Sequence, residues 1–467
     1  MQPGGVSMAS SFPKPVVQCG SRDRYSQFAR SVERFIQSRR LAWHLLIYRA
    51  TCFSLCHLWF LKLVFGFLRR IRPVAIFGKI LVVTRARDVR EVLERFDDFT
   101  LGDFIAPGMP WGTFLMTVDW RNQHAQERQL LQNAVHPTDT QKIRTIAAAR
   151  CRRQIDAAGG QIDVVSQLLE PVVVDIAAEY YGIPPLAGCA RKMANAMRDL
   201  AGIIMVNPPV GSEPWSHSRD SIANVTALLL EELSRKTSAL AGPPATPPGD
   251  DLLTRLVQRL RASGNPDWFD EDWIRRYLTG LVATGAATIV RAGAQAIDRI
   301  LAHPAALEKA RAVAIELDQE EQHGTQQRVD ELRCTLRHFI YEALRFRPML
   351  PLLIRDTPRE TVIAYDTKQA RVVRAGTRVI APPLAAMFDP EAFHMPTRFD
   401  ATRPFECYLH FGFGPRHCFG QYIAETTLIE IFRSLLFLPG LARAAGSKGR
   451  LIYDGPVAAG LVVTFQS

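Results

Sequence analysis

The feature that most constrains this chain is a glycine-rich segment with one cysteine, HFGFGPRHCFG, over residues 410–420. Five of its residues follow the spacing Phe-x-x-Gly-x-Arg-x-Cys-x-Gly: Phe411, Gly414, Arg416, Cys418 and Gly420. Five fixed positions, at about one in twenty each, should arise by chance in a chain of this length with a frequency on the order of 10⁻⁴. The segment therefore predicts a site built around Cys418.

The residue types around Cys418 suit a thiolate that binds a haem iron. Glycines let the backbone turn closely around the sulfur and aim amide groups at it, which stabilises the anion. Arg416 can pair with a haem propionate, and Phe411 can shield the sulfur from water. The alternative is a buried structural cysteine in a glycine-rich turn.

Composition excludes several other classes of protein. The chain has 467 residues, of which 47% are apolar and 22% charged, so it is neither disordered nor collagen-like. Its eight cysteines include no CxxC pair, which argues against a zinc site or a disulfide framework and favours a reducing compartment. The net charge of +11 comes from scattered residues without a nucleic-acid-binding pattern, so no nucleic-acid partner is expected. An acidic protein or an anionic membrane surface stays open.

The N-terminal part divides into a tail and an apolar segment. Residues 1–40 predict a loose tail without a secretory signal. Residues 41–68 form the most apolar stretch and would be roughly 42 Å long as a helix, enough to cross a bilayer. Four residues interrupt this stretch: His44, Arg49, His57 and Lys62. Because central charges cost about 3 kcal/mol each on insertion, a packed helix, an interfacial or partner-docking helix and a spanning helix all stay open.

Helical patterns dominate the rest of the chain. Residues 73–85 predict a β-hairpin that turns near Gly78, and residues 88–96 predict a helix capped by Asp88. Residues 272–301 form a long helical pattern, prolines mark a loop at 241–251, and a last helix follows Gly420. The expected fold class is mostly α with a small β portion (α+β).

With its cysteine segment the chain resembles the cytochrome P-450 family of haem-thiolate monooxygenases, in a bacterial-like, non-fused form. The resemblance extends over residues 70–467 and implies the family's fold, a single large haem-enclosing domain, with haem b bound through Cys418 as the iron ligand. Glu342-Ala-Leu-Arg345 is similar to the family's Glu-x-x-Arg helix, whose charges lie one turn apart. Arg398, in PTRF (396–399), is placed like the third member of the family's buried structural triad.

The resemblance also implies residues that bind the haem propionates. His124 and Arg128 stand four apart, as in the family's bacterial-type helix, and Trp120 precedes them like a tryptophan used for this purpose in other members. Arg355 follows the Glu-x-x-Arg helix much as the family's propionate-binding arginine does. Several cations around two carboxylates are physically sensible, because a buried dianion needs pairing.

The oxygen-activating helix is identified at Thr284-Gly285-Ala286-Ala287-Thr288, which is similar to the family's Ala/Gly-Gly-x-Asp/Glu-Thr pattern. In that resemblance Gly285 opens a groove over the iron, and the Thr288 hydroxyl holds dioxygen and passes protons to it. Ala287 departs from the pattern, because an acid that feeds the proton relay usually stands there. The alternative interpretation is a stripe of small residues for close helix packing.

The resemblance implies an oxidoreductase that uses dioxygen and external electrons to hydroxylate or oxidatively couple an apolar small molecule, as in secondary metabolism. Its electrons would come from an acidic donor such as a ferredoxin with its reductase. Pocket walls are expected from residues 100–118, 200–216, 281–288 and 350–353. The expected location is the cytoplasm, with peripheral membrane contact through 41–68 left open.

Two other functions stay open. The first is a peroxide-driven or hydroperoxide-rearranging haem-thiolate enzyme, because Ala287 replaces the usual acid. The second is a non-catalytic haem-binding sensor.

Overall fold

The computed structural model describes residues 41–101, 111–240 and 249–466. The predicted tail at 1–40 lies outside these residues, as do 102–110 of the expected pocket wall and 241–248 of the predicted loop. The α-helices of the described residues are α1 Leu41–Cys56, α2 Trp59–Ile71, α3 Ala86–Glu94, α4 Arg121–Ala134, α5 Asp139–Asp156, α6 Glu170–Ile176, α7 Ala190–Val206, α8 Glu213–Ala239, α9 Leu252–Arg261, α10 Glu271–Leu301, α11 Pro304–His323, α12 Gln326–Phe346, α13 Pro383–Ala386 and α14 Gln421–Leu436. The expected mostly helical fold class is confirmed.

Small sheets make up the β portion. The strands are β1 Val74–Phe77, β2 Ile80–Val83, β3 Gln161–Asp163, β4 Leu353–Asp356, β5 Thr361–Ile363, β6 Arg371–Val373, β7 Arg378–Ala381, β8 Ala442–Arg443, β9 Ile452–Asp454, β10 Val457–Gly460 and β11 Val462–Thr464. The largest sheet has the order β1-β2-β7-β4, with β2 and β7 parallel and the other pairs antiparallel. The predicted hairpin is present, and Gly78 takes the positive φ of +60° that its turn requires.

Local sequence explains where several helices begin. Ser212, Asp251, Asp270 and Thr325 each accept a hydrogen bond from the amide three residues later, which satisfies a donor that the first turn leaves free. The predicted cap at Asp88 was wrong. Helix α3 begins at Ala86, whose amide donates to the carboxylate of Asp389 at 2.8 Å, so a distant segment caps the helix and Asp88 is buried inside its first turn.

Helix α10 is the central element of the fold. It runs for 31 residues and packs against α7, α8, α12 and α14, and most of its residues are buried in the main hydrophobic core. A second core lies under the largest sheet and extends to the cysteine segment. The site described below lies between these two parts of the molecule.

The apolar segment at 41–68 is two helices rather than one. Helices α1 and α2 meet at an angle of 82°. Among the described residues no single helix is long and apolar enough to cross a membrane, whereas this bent pair passes by length and composition alone. One side of α2 packs on the large sheet and α13 through Phe65, which meets Val82 and Leu384.

Candidate active site

The cysteine loop contains one glycine, Gly414, that no other residue could replace without movement of its neighbours. Gly414 has a φ of +71°, and a Cβ there would lie 2.8 Å from the Cα of Glu94 at the end of α3. The amide of Cys418 donates to the carbonyl of Phe411 at 2.9 Å, which closes the loop before α14 begins at Gln421. The predicted spacing thus forms one compact turn that leads into a helix.

The Cys418 thiol is accessible even though protein encloses it. Burial is the largest influence on its pKa and raises it, while the backbone amide of Gly420 and the charge of Arg128 act in the opposite direction. A side chain that is accessible and enclosed at once lies on an internal cavity. Such a thiol is a poor anion by itself, so an iron ion that stabilises the thiolate fits this position.

The Glu342–Arg345 pair fixes the segments that lead to this loop. Both side chains are fully buried, and Arg345 binds the Glu342 carboxylate through two parallel hydrogen bonds of 2.8 and 2.7 Å. The remaining donors of Arg345 bind the backbone carbonyls of Met387, Pro396 and Arg398 at 2.7 to 3.0 Å. All five guanidinium hydrogens are therefore used, which is the arrangement that a buried charge requires.

The third charged group at Glu342 is Arg403, so the assignment of Arg398 is corrected. The side chain of Arg398 is exposed, and only its backbone carbonyl joins the network. Arg403 is buried, and its Nε lies 3.6 Å from the Glu342 carboxylate. Arg403 follows Phe399-Asp400-Ala401-Thr402, and the amide of Asp400 donates to Glu342 at 2.9 Å, so the turn after Phe399 brings the later arginine inward.

Four predicted propionate-binding residues lie close enough together to affect one another. Burial, with added repulsion from Arg416, lowers the pKa of Arg355 to about 9. Burial also lowers the pKa of His124 to about 4, with added repulsion from Arg416 and Arg128, so this imidazole is neutral at pH 7. Three guanidinium groups therefore lie near this neutral imidazole, and one of them, Arg416, is paired with Asp119.

Arg355 gives the clearest test of whether an anionic group fits here. Its side chain is buried on β4, and its hydrogen bond goes to the neighbouring carbonyl of Ile354 at 2.8 Å. Within the described parts of the chain no carboxylate forms a salt bridge with it; the nearby carboxylate Asp119 favours its charge but is bound to Arg416. A buried cation without a directly bound anion is costly, and a haem propionate would satisfy it. The residues present therefore fit the cofactor.

Trp120 does not join this group. Trp120 immediately precedes the first turn of α4, and its side chain is 75% exposed. Arg128, which is on the same helix and partly buried, instead donates to the carbonyl of His417 at 2.8 Å. This hydrogen bond connects α4 to the cysteine loop. Asp119, which the sequence did not indicate as a site residue, pairs with Arg416.

One stripe of α10 is accessible in the middle of an otherwise buried helix. Leu281, Thr284, Gly285 and Thr288 are partly accessible, while the residues between them are buried. Their spacing of three, four and seven places them on one face. A Cβ on Gly285 would lie 3.4 Å from the hydroxyl of Tyr181, and the pKa of that hydroxyl is raised by burial and also by the charges of Tyr422 and Cys418. Tyr181, which sequence reasoning missed, thus connects this face with the cysteine.

The hydroxyl of Thr288 donates into its own helix. It lies 2.5 Å from the carbonyl of Thr284 and 2.9 Å from that of Gly285. These contacts use only the hydrogen of the hydroxyl, so its oxygen can still accept a hydrogen bond from a donor in the cavity.

Ala287 faces away from this cavity. It is buried against Ala201 of α7 and Val457 of β10, as the packing interpretation expects. A cavity of about 10 Å³ adjoins it, and the ion pair between Glu170 and Arg198 borders the same cavity. An acid at position 287 would therefore meet a cation that another carboxylate already holds.

Comparisons with known proteins agree with this geometry. Residues 212–437 match the family model of cytochrome P-450. The chain is 26% identical over 305 residues to the erythromycin C-12 hydroxylase of Saccharopolyspora erythraea, which covers 65% of this chain and 67% of that protein.

Shorter matches involve two fungal enzymes. A bifunctional dioxygenase–epoxy alcohol synthase of Fusarium oxysporum is 33% identical over 122 residues, covering 26% of this chain and 9% of that protein. The linoleate diol synthase of Gaeumannomyces graminis is 42% identical over 76 residues, covering 16% of this chain and 6% of that protein. The match thus spans less than a tenth of the length of either enzyme.

Solved structures show the same fold. CalO2 superposes with a TM-score of 0.67 at 22% identity, covering 86% of this chain and 95% of that one. The open form of EryK from S. erythraea superposes with a TM-score of 0.68 at 22% identity, covering 86% and 94%. A fold with this cysteine loop, this buried ion pair and a matching family model leads to one conclusion: the chain belongs to the cytochrome P-450 family.

Proposed function

We propose that the protein is a haem-thiolate monooxygenase that transfers one oxygen atom of dioxygen to an apolar small molecule, with electrons from a separate donor. The observation that carries this proposal is the position of Tyr181, whose hydroxyl lies beside Gly285 on the accessible face of α10 and close enough to Cys418 for the charge of that thiol to raise its pKa. Cys418 would ligate the iron of haem b, and Arg355, Arg416, Arg128 and His124 would bind its propionates. Bound haem would supply the redox chemistry, because a thiolate ligand favours cleavage of the O–O bond.

The protein's own residues would bind substrate and control protons. Leu281 and the methyl groups of Thr284 and Thr288 give the α10 face an apolar character that suits a hydrophobic substrate and excludes water. The Thr288 hydroxyl is the polar group on this face that could pass a proton toward the cavity. Gly285 leaves room between α10 and the reacting groups.

The relatives suggest a class of substrate. A hydroxylase of erythromycin is similar to this chain over two thirds of its length, and one of the matching structures is EryK in complex with erythromycin B. We therefore favour a large, mostly apolar product of secondary metabolism as substrate, to be hydroxylated or oxidatively coupled.

A groove beside the cysteine loop supports docking of an acidic electron donor such as a ferredoxin. The groove has a volume of about 800 Å³, and its walls carry three arginines (Arg87, Arg90 and Arg95) and two glutamates (Glu91 and Glu94) beside Phe413. The guanidinium of Arg90 lies 4.7 Å from the ring centre of Phe413, five residues before Cys418. Arg90, which no carboxylate pairs with among the described residues, would attract an acidic donor to a place near Cys418 and so shorten the electron path.

A second candidate is rearrangement of a lipid hydroperoxide. Ala287 removes the acid that would feed protons, and two fungal relatives are named for an epoxy alcohol and a linoleate diol. An epoxy alcohol is an isomer of an unsaturated fatty-acid hydroperoxide, so forming it from the hydroperoxide needs neither electrons nor added protons. Such an enzyme could function without an acid at position 287.

The first experiment tests the ligand. The reduced, haem-loaded protein with carbon monoxide should show the red-shifted Soret band of a haem-thiolate, and Cys418→His should lose it while retaining haem. An unchanged band in Cys418→His would refute the assignment of the ligand.

The second experiment separates the two candidate reactions. The enzyme is supplied either with a ferredoxin, its reductase and ¹⁸O₂, or with a linoleic acid hydroperoxide and no reductant. A monooxygenase should incorporate one ¹⁸O atom into an added apolar substrate in the first assay only. Conversion of the hydroperoxide into an epoxy alcohol or diol without electrons, with no product in the first assay, would favour the second candidate.

A further inference from the structure

Helix α2 carries a row of large apolar side chains on its outer side. Trp59, Leu63, Phe67 and Ile71 are each more than 60% exposed, and their spacing of four places them along one face. Single exposed apolar residues are common, but a continuous row of this size marks a surface that another apolar medium covers.

Two of the three cations of the same helix, Lys62 and Arg69, are turned inward, which is the reverse of a helix that faces water. The ammonium group of Lys62 lies 4.5 Å from the ring centre of Phe388. Arg69 donates to the backbone carbonyls of Thr84 and Ala385 at 3.2 and 2.9 Å and to that of Phe388. Burial lowers the pKa of Lys62 to about 8. A water-facing helix would point such groups outward and keep its apolar residues inside.

The apolar surface continues on both sides of α2. Helix α1 exposes Trp43 and Phe53, and the turn between β1 and β2 exposes Phe77 and Ile80. Of the 19 large apolar side chains that are exposed among the described residues, 11 lie between residues 43 and 80. We call these outward apolar residues of α1, α2 and the β1–β2 turn the apolar outer face. Their concentration in one short segment separates this face from ordinary surface residues.

Charged and aromatic residues at this face indicate lipid rather than protein. Arg49, Arg70, Arg72 and Lys79 are exposed within the same segment, and cations beside an apolar helix face are attracted to anionic headgroups. Tryptophans such as Trp43 and Trp59 suit the boundary between headgroups and acyl chains. A symmetric contact between two copies would instead bring the same arginines of both copies close together, which is unfavourable.

We propose that the apolar outer face docks the protein on the surface of an anionic bilayer, with α2 lying in the plane of the interface. The inner side of α2 packs on Val82 and Leu384, so lipid cannot surround this helix and the contact stays on one side of the bilayer. This inference concerns the location of the enzyme and does not depend on the reaction it catalyses.

The test is flotation of the purified full chain with vesicles of phosphatidylcholine alone or with added phosphatidylglycerol. Wild-type protein should float with the anionic vesicles and be released by high salt. Leu63→Asp should lower the bound fraction at least about tenfold, because a charge then enters the apolar layer. Leu230→Asp is the matched control, since Leu230 is half exposed on α8 and outside the apolar outer face, and it should bind like wild type.

Three results would overturn the proposal. They are an absence of flotation with either vesicle, flotation that Leu63→Asp leaves unchanged, and a dimer in sedimentation that Leu63→Asp dissociates without any binding to vesicles. Thermal unfolding of each variant shows that it is folded. Arg70→Glu with Arg72→Glu should weaken binding to anionic vesicles and leave the apolar contribution intact, which separates the two sources of affinity.

Discussion

The Glu342–Arg345 network and the face of α10 around Ala287 differ in how fully their polar groups are satisfied. In the first, every donor of Arg345 has a partner, and Glu342 also accepts from Tyr408 at 3.0 Å. In the second, Thr288 donates only within its own helix, and the ion pair of Glu170 with Arg198 borders Ala287 on another face of that helix. The network that supports the cysteine loop is therefore fixed in one arrangement, while the face of α10, where dioxygen would bind, leaves room for variation in chemistry.

The largest effect is expected from breaking the saturated network. Arg345→Met leaves the Glu342 carboxylate buried without its bidentate partner and should lower the free energy of unfolding by about 3–5 kcal/mol. Denaturant titration, or loss of soluble haem-loaded protein, measures this change.

Arg398→Met is the matched control for that substitution. Because this side chain is exposed and only its carbonyl takes part, the free energy of unfolding should change by less than about 0.5 kcal/mol. Arg403→Met removes the second buried guanidinium, and its loss in the free energy of unfolding should fall between those of Arg398→Met and Arg345→Met. A large loss for Arg398→Met with none for Arg403→Met would show that the geometry at Glu342 is wrong.

These arginines also show how far the sequence could predict the site. Glu342 and Arg345 are three apart on one helix, and the cysteine loop is continuous, so the resemblance of these short motifs to the family's was enough to predict both. The choice between Arg398 and Arg403 depends on a turn that a separate segment shapes. Asp119, which pairs with Arg416, is nearly 300 residues from it in the chain, and no local pattern signals such a contact.

The helical pattern of the sequence predicted helix α10, whereas nothing in the sequence predicted the environment of position 287. Residues 272–301 gave a helix that matches α10 within one residue at its start. The sequence could not show that Glu170 and Arg198, from two other helices, meet beside Ala287. The same holds for the inward cations of α2, because the interrupting Lys62 gave no sign of the direction in which its side chain points.

A smaller effect, on catalysis instead of stability, is expected from Thr288 on the face of α10. Thr288→Val removes the hydroxyl from the cavity face and should reduce product formed per electron consumed by about tenfold if Thr288 passes protons, with the excess released as hydrogen peroxide. Thr284→Val is the control, because its hydroxyl also bonds to its own helix, to Gly280 at 2.7 Å, and occupies the same face. Equal losses in both variants would assign the effect to packing instead of proton transfer.

The smallest effect concerns the position that departs from the family pattern. Ala287→Asp places a carboxylate beside Glu170 in a cavity of about 10 Å³ and should lower the free energy of unfolding by about 1–2 kcal/mol, because two like charges compete for Arg198. Glu170→Gln removes that competition.

In the double variant Arg198 can pair with the new carboxylate, so the cycle should show a favourable coupling of about 1 kcal/mol between the two sites. Denaturant titration of the four proteins measures it without any reaction. If Glu170→Gln lowers the product formed per electron relative to wild type and the double variant restores it, Glu170 takes the part of the acid missing from α10 in the native protein. Additive changes in both measurements would mean that Ala287 is only a packing residue.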